Sequence, residues 1–459
     1  MTDMSETPAV NPAVAVPVAL AARAEPVGEQ ERIVTMDVLR GVAVLGILLV
    51  NILTFMLTFS EFAAFSWREL APVDAAARLF IKFFAEFKFI TIFSLLFGMG
   101  LAIQNRRAQQ RGAPFARTYV RRLIILLMIG LMHGLLLWYG DVLFLYALVG
   151  LIAILFRNLR PKVLLTVAVC LFFFPFVLLS GCAAVAPDQD LSGPPDWEKI
   201  AEQYERSRAG GQAASRPASA AAAAEQRKDP SYDATMRLFR LMADEKRIYQ
   251  SGTWVEMFVH RAVTFLLLIN MANLLIIGWR CLALFLLGIY LVRGGFFDDT
   301  GRHRRSYLWF LIGGLAVGIP MQIAALVADE IGPTKGMASL AGTGLMYVAT
   351  MGMALAYVGA ISLLCLRQEW VARLRPFASV GRMALTNYLA HTVICSLIFY
   401  SFGFGLFGRI GVATALLIVL AIYVVQLIIS PIWLRHFQFG PMEWLWRSAT
   451  YWRLQSMRR

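Results

Sequence analysis

Arg121-Arg122-Leu-Ile-Ile-Leu-Leu-Met-Ile-Gly-Leu-Met-His133-Gly-Leu-Leu-Leu-Trp-Tyr-Gly-Asp141 is the stretch whose reading decides the class of this protein. Between Arg122 and Asp141 the only group that titrates near neutrality is His133, and the run is long enough to cross a hydrocarbon layer ~30 Å thick. Runs of ~18 or more apolar residues recur down the chain. In lipid every backbone amide needs an internal partner, and these runs lack the dyad alternation of barrel strands, so only helices fit. The composition agrees: with 59% hydrophobic and 16% charged residues the chain cannot cover itself with a water-facing surface. The reading is an all-α, polytopic membrane helix bundle of about ten transmembrane helices.

Working outward from this run, the apolar stretches place spans near residues 38–58, 85–105, 122–140, 142–157, 162–184, 270–293, 307–328, 337–365, 383–403 and 411–434. Residues 1–33, rich in Ala, Pro, Val and Glu, lack a signal-peptide pattern and read as a disordered tail. An N-terminal membrane domain covers 34–186, a polar periplasmic segment 187–250, a C-terminal membrane domain 251–437, and a cytoplasmic amphipathic tail 438–459. Residues 74–88, which interleave Lys82, Glu86 and Lys88 with phenylalanines, suit an interfacial helix, and 254–269 suit an interfacial helix, a dip into the membrane or an extra span.

The net charge of +14 would point to nucleic acid in a soluble protein. Here the arginines sit in short links between spans and set orientation instead. The link holding Arg106, Arg107, Arg111, Arg117, Arg121 and Arg122 has no acid, which makes it cytoplasmic, and both termini then fall on that side. A multi-pass protein of the bacterial inner membrane follows, with the lipid bilayer as a partner, anionic lipids at the inner face, and no nucleic acid. Cys170, Cys182, Cys281, Cys365 and Cys395 lie in or beside apolar segments without metal or redox spacing, so they read as packing residues. No metal-spaced cluster, phosphate loop or nucleophile elbow is present in the sequence.

A titratable group at membrane depth is expensive and therefore a functional candidate. His133 lies ~17 Å from the Arg121-Arg122 end, and an imidazole is the usual group for taking a proton from a hydroxyl or amine. Asp141, eight residues on, would be ~12 Å away on a continuous helix, so contact requires the helix to end or bend near Gly140. The alternative is a histidine hydrogen-bonded between helices for structure. On the first span Asp37 and Arg40 are one turn apart, followed by Gly41, Gly46 and Asn51. They form a local ion pair, or Arg40 joins Arg121, Arg122 and Lys88 in attracting donor phosphates. Lys88 could equally snorkel, and Ser94 to Gly100 reads as a close-packing stretch. Asn387 and His391, one turn apart on the ninth span, imply either a polar cavity or an interhelical hydrogen bond.

Several strings together resemble the YeiB-type family of bacterial inner-membrane proteins, which carry a C-terminal domain of unknown function. They are Asp37-Val-Leu-Arg40-Gly41 through Gly46 to Asn51, Phe93-Ser-Leu-Leu-Phe-Gly98-Met-Gly100, Arg121-Arg122 with His133 and Gly140-Asp141 to Tyr146, and Gly381-Arg382 to Asn387-Tyr388 with Gly440-Pro441-Met-Glu443-Trp444-Leu-Trp446-Arg447. The family motif more often has Gln where this chain has His391. The resemblance groups the chain with transmembrane acyltransferases such as the heparan-α-glucosaminide N-acetyltransferase. It implies acyl-CoA as donor and a small-molecule, glycan or lipid acceptor. On that expectation His133 and Asp141 are catalytic, and Arg40, Lys88, Arg121, Arg122, Asn51, Asn387 and His391 bind donor or acceptor. The rival is a transporter or flippase for a small molecule or lipid-linked substrate, although the two halves show no repeat. A scaffolding role and homo-oligomerisation stay open.

Overall fold

A computed structural model describes residues 33–63, 70–185, 230–269, 277–297, 301–331 and 337–459, with 197, 199–204 and 206. All but Ile33 of the expected tail at 1–33, and most of residues 187–229 of the polar segment 187–250, lie outside the described residues. The helices are α1 (Val34–Met56), α2 (Phe59–Ala63), α3 (Pro72–Phe84), α4 (Lys88–Gln110), α5 (Phe115–Leu136), α6 (Leu143–Ala153, extended by a 3-10 turn, Ile154–Phe156) and α7 (Pro161–Val185). They continue with α8 (Pro230–Ala243), α9 (Glu245–Ser251), α10 (Trp254–Val263, followed by a π turn, Thr264–Ile269), α11 (Gly278–Arg293), α12 (Arg304–Ile331) and α13 (Met337–Leu364). Last come α14 (Gln368–Arg373), α15 (Arg375–Arg382), α16 (Ala384–Phe399), α17 (Val412–His436) and α18 (Pro441–Tyr451). There is no named strand among the described residues.

Among the described residues six helices, α1, α5, α7, α12, α13 and α17, are long and apolar enough to cross a membrane, and α6 and α16 are shorter apolar helices. Each expected span overlaps one of these helices, α4 or α11. The main departure is the ninth, expected to reach 403. α16 stops at Phe399, because Tyr400 is extended and the next amide, Ser401, donates to the Tyr249 carbonyl of α9. On α17 the side chains of Leu417, Leu420, Val424 and Ile428 form an exposed stripe at helical spacing, and Ile124, Met128 and Met132 do the same on α5. Such apolar rows on the outside are what lipid contact selects and water does not. The protein is a helical membrane protein.

Small residues let the backbones close up where lipid offers no hydrophobic drive to do it. A Cβ at Gly98 of α4 would meet the Phe285 carbonyl oxygen of α11 at 2.0 Å, and one at Gly288 of α11 would meet the Leu95 carbonyl oxygen at 2.3 Å. The expectation that this stretch packs holds for Gly98. Gly100, two residues on, instead faces a cavity. The antiparallel pair α12 and α13 meets at Gly314, Gly318 and Gly352. A Cβ at Gly381 of α15 would meet the Asp37 carbonyl oxygen at 1.9 Å, so α15 lies directly against the start of α1.

The two flanking segments read as interfacial are helices. α3 packs Ala77, Arg78 and Ile81 inward, and its Asp74 accepts a hydrogen bond from the Ala413 amide at the start of α17, 2.8 Å. α10 opens with a capping box between Thr253 and Glu256 and packs beside α5. The expected C-terminal tail is a docked element: α18 lies on α5 and α16.

Candidate functional site

Two features converge between α1, α4, α5, α6, α16 and α18: a cavity ringed by arginines and a buried histidine-carboxylate pair. The cavity has a volume of about 330 Å³. Its mouth carries Arg40, Arg107, Arg111, Arg122, Arg382 and Arg447, and Asp37 and Glu443 are the acids among the described residues that line it. Deeper, the walls turn apolar and aromatic, with Phe93, Phe97, Leu126, Leu143, Tyr146 and Tyr388.

The mouth is assembled by the motifs that the sequence separates most widely. Glu443 on α18 accepts from the Leu385 amide at 2.7 Å, the Thr386 amide at 3.1 Å and the Thr386 hydroxyl at 2.5 Å, so it caps the first turn of α16. Burial pushes its carboxyl above the usual range, and the hydrogen bonds from Thr386 oppose that shift. The Arg122 guanidinium lies 3.9 Å from the Trp446 ring centroid, and the Trp446 indole donates to the Arg122 carbonyl at 2.8 Å. The Gly440 to Arg447 motif thus joins Gly381 to Tyr388 and Arg122 around one opening.

At the inner end, His133 Nδ1 lies 2.8 Å from Asp141 Oδ1, and His133 Nε2 lies 2.9 Å from the Thr392 hydroxyl on α16. The contact that a continuous helix forbids arises because α5 ends at Leu136, four residues before Gly140, with the Leu137 and Trp138 amides both donating to the His133 carbonyl. The chain then turns through Trp138 to Gly140 and comes back against α5 at Gly130. A Cβ there would meet the Phe144 nitrogen at 2.4 Å and Asp141 Oδ2 at 2.8 Å. Asp141 Oδ2 also accepts from the Phe144 amide at 2.6 Å, which fixes the carboxylate at the start of α6. Gly134 leaves room for the Phe265 ring of the π turn rather than for open space.

With Asp141 ionised and the imidazole neutral, Nδ1 carries the ring proton and Nε2 accepts from Thr392. His133, Asp141 and Thr392 are all nearly inaccessible. None of them lines the cavity, but Tyr388 does, and its ring centroid is 5.4 Å from that of His133. One layer of side chains separates the cavity from the histidine.

The remaining sequence candidates divide. Arg40 and Arg122 line the cavity, and Arg40 also makes the local ion pair with Asp37 at 2.8 Å. Arg121 does not line it. Lys88 is buried away from it, its ammonium donating to the Lys82 carbonyl at 2.9 Å, so it neither snorkels nor joins the arginines. Asn51 is half-buried on α1 outside the cavity. Asn387 and His391 make interhelical hydrogen bonds: His391 Nε2 to Gln426 at 2.8 Å, and Asn387 to Ser430 and the Val380 carbonyl at 3.2 Å each. Sequence reading missed Thr392, Tyr388, Glu443, Arg382 and Arg447. Tyr388 and Thr392 share a helix face at i and i+4, and that spacing was the available signal. Among the described residues no His, Cys, Asp or Glu cluster could hold a metal ion.

A family model described as a protein of unknown function (DUF418) matches residues 291–453, the stretch from the end of α11 through α18. No solved structure matches. The uncharacterized protein YxaH of Bacillus subtilis (strain 168) is 33% identical over 438 residues, covering 93% of this chain and 96% of the relative. The uncharacterized protein YeiB of Escherichia coli (strain K12) is 30% identical over 431 residues, covering 92% and 96%. Identity at this level along nearly the whole of both chains, with the quoted motifs converging on one cavity, makes this protein a member of the YeiB-type family.

Proposed function

We propose that the protein is a transmembrane acyltransferase of the bacterial inner membrane, taking an acyl group from cytoplasmic acyl-CoA and passing it to a hydroxyl or amine acceptor offered from the periplasmic side. The observation that carries this reading is the single path from a six-arginine mouth, through an apolar throat, to within one side-chain layer of the His133–Asp141 pair. Guanidinium groups suit phosphates because they donate in a planar fork and stay charged. An apolar throat suits the pantetheine arm and the acyl chain. With its proton on Nδ1 and Asp141 behind it, His133 presents Nε2 as the base for the reacting hydroxyl or amine. The arginine-rich end is the cytoplasmic one by the distribution of charge, which matches the compartment of the donor. Arg40 and Arg122 stay in the donor set, Arg382 and Arg447 join it, and Arg121 and Lys88 leave it.

The test is binding of acetyl-CoA and longer acyl-CoAs to the purified protein in nanodiscs. Saturable binding that weakens about 10-fold or more in Arg40→Ala and Arg122→Ala, and that falls with rising salt, is the expected result. Absence of binding at every chain length would sink the reading. The buried chain His391–Gln426–Asn387–Ser430 between α16 and α17 favours the transport alternative, since polar groups at this depth also line substrate pathways. Substrate uptake by sealed vesicles without acyl transfer would select it.

A further inference from the structure

Of the five histidines, His133 is the one that holds a carboxylate on one ring nitrogen and an aliphatic hydroxyl on the other. The order Asp141, His133, Thr392 is that of an acid-base-nucleophile relay, recognised by geometry and roles rather than by sequence order. The distances of 2.8 and 2.9 Å are those of formed hydrogen bonds, and the three groups come from separate elements: the turn before α6, helix α5 and helix α16. Asp141 is held by the Phe144 amide, and the start of α16 by Glu443. Thr392 lies one turn beyond Tyr388 on α16, so the hydroxyl sits one helical turn from an aromatic residue that lines the cavity.

We infer that Thr392 is a nucleophile and that transfer runs through an acyl-threonine intermediate; this deepens the transferase reading and rests on it. In the first half-reaction the Thr392 oxygen attacks the thioester carbonyl carbon while its proton passes to His133 Nε2. The carbon-sulfur bond then breaks, and the thiolate takes that proton and leaves as free CoA. In the second half-reaction the acceptor hydroxyl or amine attacks the acyl-threonine ester, and its proton passes through His133 Nε2 to the Thr392 oxygen. Asp141 holds the imidazole tautomer and balances the imidazolium in both. The donor and acceptor need never occupy the site together, which suits reactants arriving from opposite faces of a membrane. Tyr388 is the side chain that must turn aside to admit the thioester.

The experiment follows exchange of isotopically labelled CoA into acetyl-CoA or longer acyl-CoA, without any acceptor, by protein in nanodiscs. Acyl-CoA binding is measured on the same samples, and the protein is then digested and mass-mapped. Wild type should exchange, with the acyl mass on Thr392. Thr392→Ser should retain exchange, and Thr392→Val, matched in shape, should lose it by about 100-fold or more with acyl-CoA binding unchanged. Acyl-CoA binding without exchange in wild type would overturn the intermediate while leaving direct transfer standing. Exchange by Thr392→Val, or acyl mass on another residue, would overturn the assignment of Thr392. Absence of acyl-CoA binding would overturn the transferase reading and this inference with it.

Discussion

Met132 is 58% exposed and His133 is 3% exposed, so one step along α5 separates the lipid-facing stripe from a buried side chain hydrogen-bonded on both ring nitrogens. What makes His133 chemically useful lies outside its own helix. Asp141→Asn keeps the shape and an acceptor for the Phe144 amide but removes the charge behind the imidazole. Acyl transfer should fall by ~10²–10⁴-fold with the protein folded, read as turnover against thermal stability in detergent. Gly130→Ala should produce a similar loss by displacing Asp141, and a variant with near-normal turnover would show that the carboxylate contact is dispensable. The sequence revealed the condition for the pair, a helix that stops early, but not where it stops. Leu135, Leu136 and Leu137 are good helix formers, and the stop is made by Gly130 and by the return of α6. His391 shows the reverse problem: its partner Gln426 is 35 residues away on another helix, at a separation that local periodicity does not report.

At the far end from the arginines, Glu245 is buried while accepting from the Phe59 amide at 2.9 Å and from the Tyr139 hydroxyl at 3.3 Å. Burial pushes its carboxyl up from 4.5 to about 7. The folded chain therefore holds this proton more tightly than the unfolded chain, and stability declines as pH rises from about 4.5 to about 7, then levels off. Glu245→Gln should remove that decline, so the melting temperature of the variant in detergent should gain on wild type across that window. Parallel curves would show that Glu245 does not set this part of the profile.

The element on which the site depends most is α16. Its first turn is capped by Glu443 from α18, its middle supplies Tyr388 and Thr392, and its outer end is tied by Ser401 to α9. Glu443→Ala leaves the Leu385 and Thr386 amides without that acceptor and should lower stability by about 1–3 kcal/mol. It should also weaken acyl-CoA binding, because the same helix end forms the cavity mouth. A variant with an unchanged denaturation midpoint would separate the cap from the fold. The helices were legible from uninterrupted apolar length and the arginine links. The docking of α18 was not, since its sequence reads equally well as an amphipathic helix on a lipid surface. The difference lies in Glu443 and Trp446, whose partners are 57 or more residues away in sequence.

On the scale of the whole molecule the arginines play two parts that the sequence merged into one. Some orient the chain in the membrane, and six ring a cavity. Single cysteines placed at Arg111 and Arg447 should react with a membrane-impermeant thiol reagent from the cytoplasmic side of intact vesicles, and one at exposed Lys246 from the other side. Labelling of all three from one side would overturn the orientation. Neighbour relations between helices, such as α4 with α11 through Gly98 and Gly288, were beyond one sequence, because any glycine in an apolar run is compatible with several partners.

The shortness of α6 and α16 bears on the lipid around them. A 16-residue helix is ~24 Å long, below the ~30 Å of an average hydrocarbon core. Both helices present apolar side chains outward, Ile152 and Leu155 beside α6 and Val393 and Leu397 on α16. Acyl chains packed there are expected to shorten or tilt, which would thin the lipid annulus beside the His133–Asp141 pair. Turnover and melting temperature should then both vary with the chain length of the reconstituting phosphatidylcholine, highest in thin bilayers and lowest in thick ones.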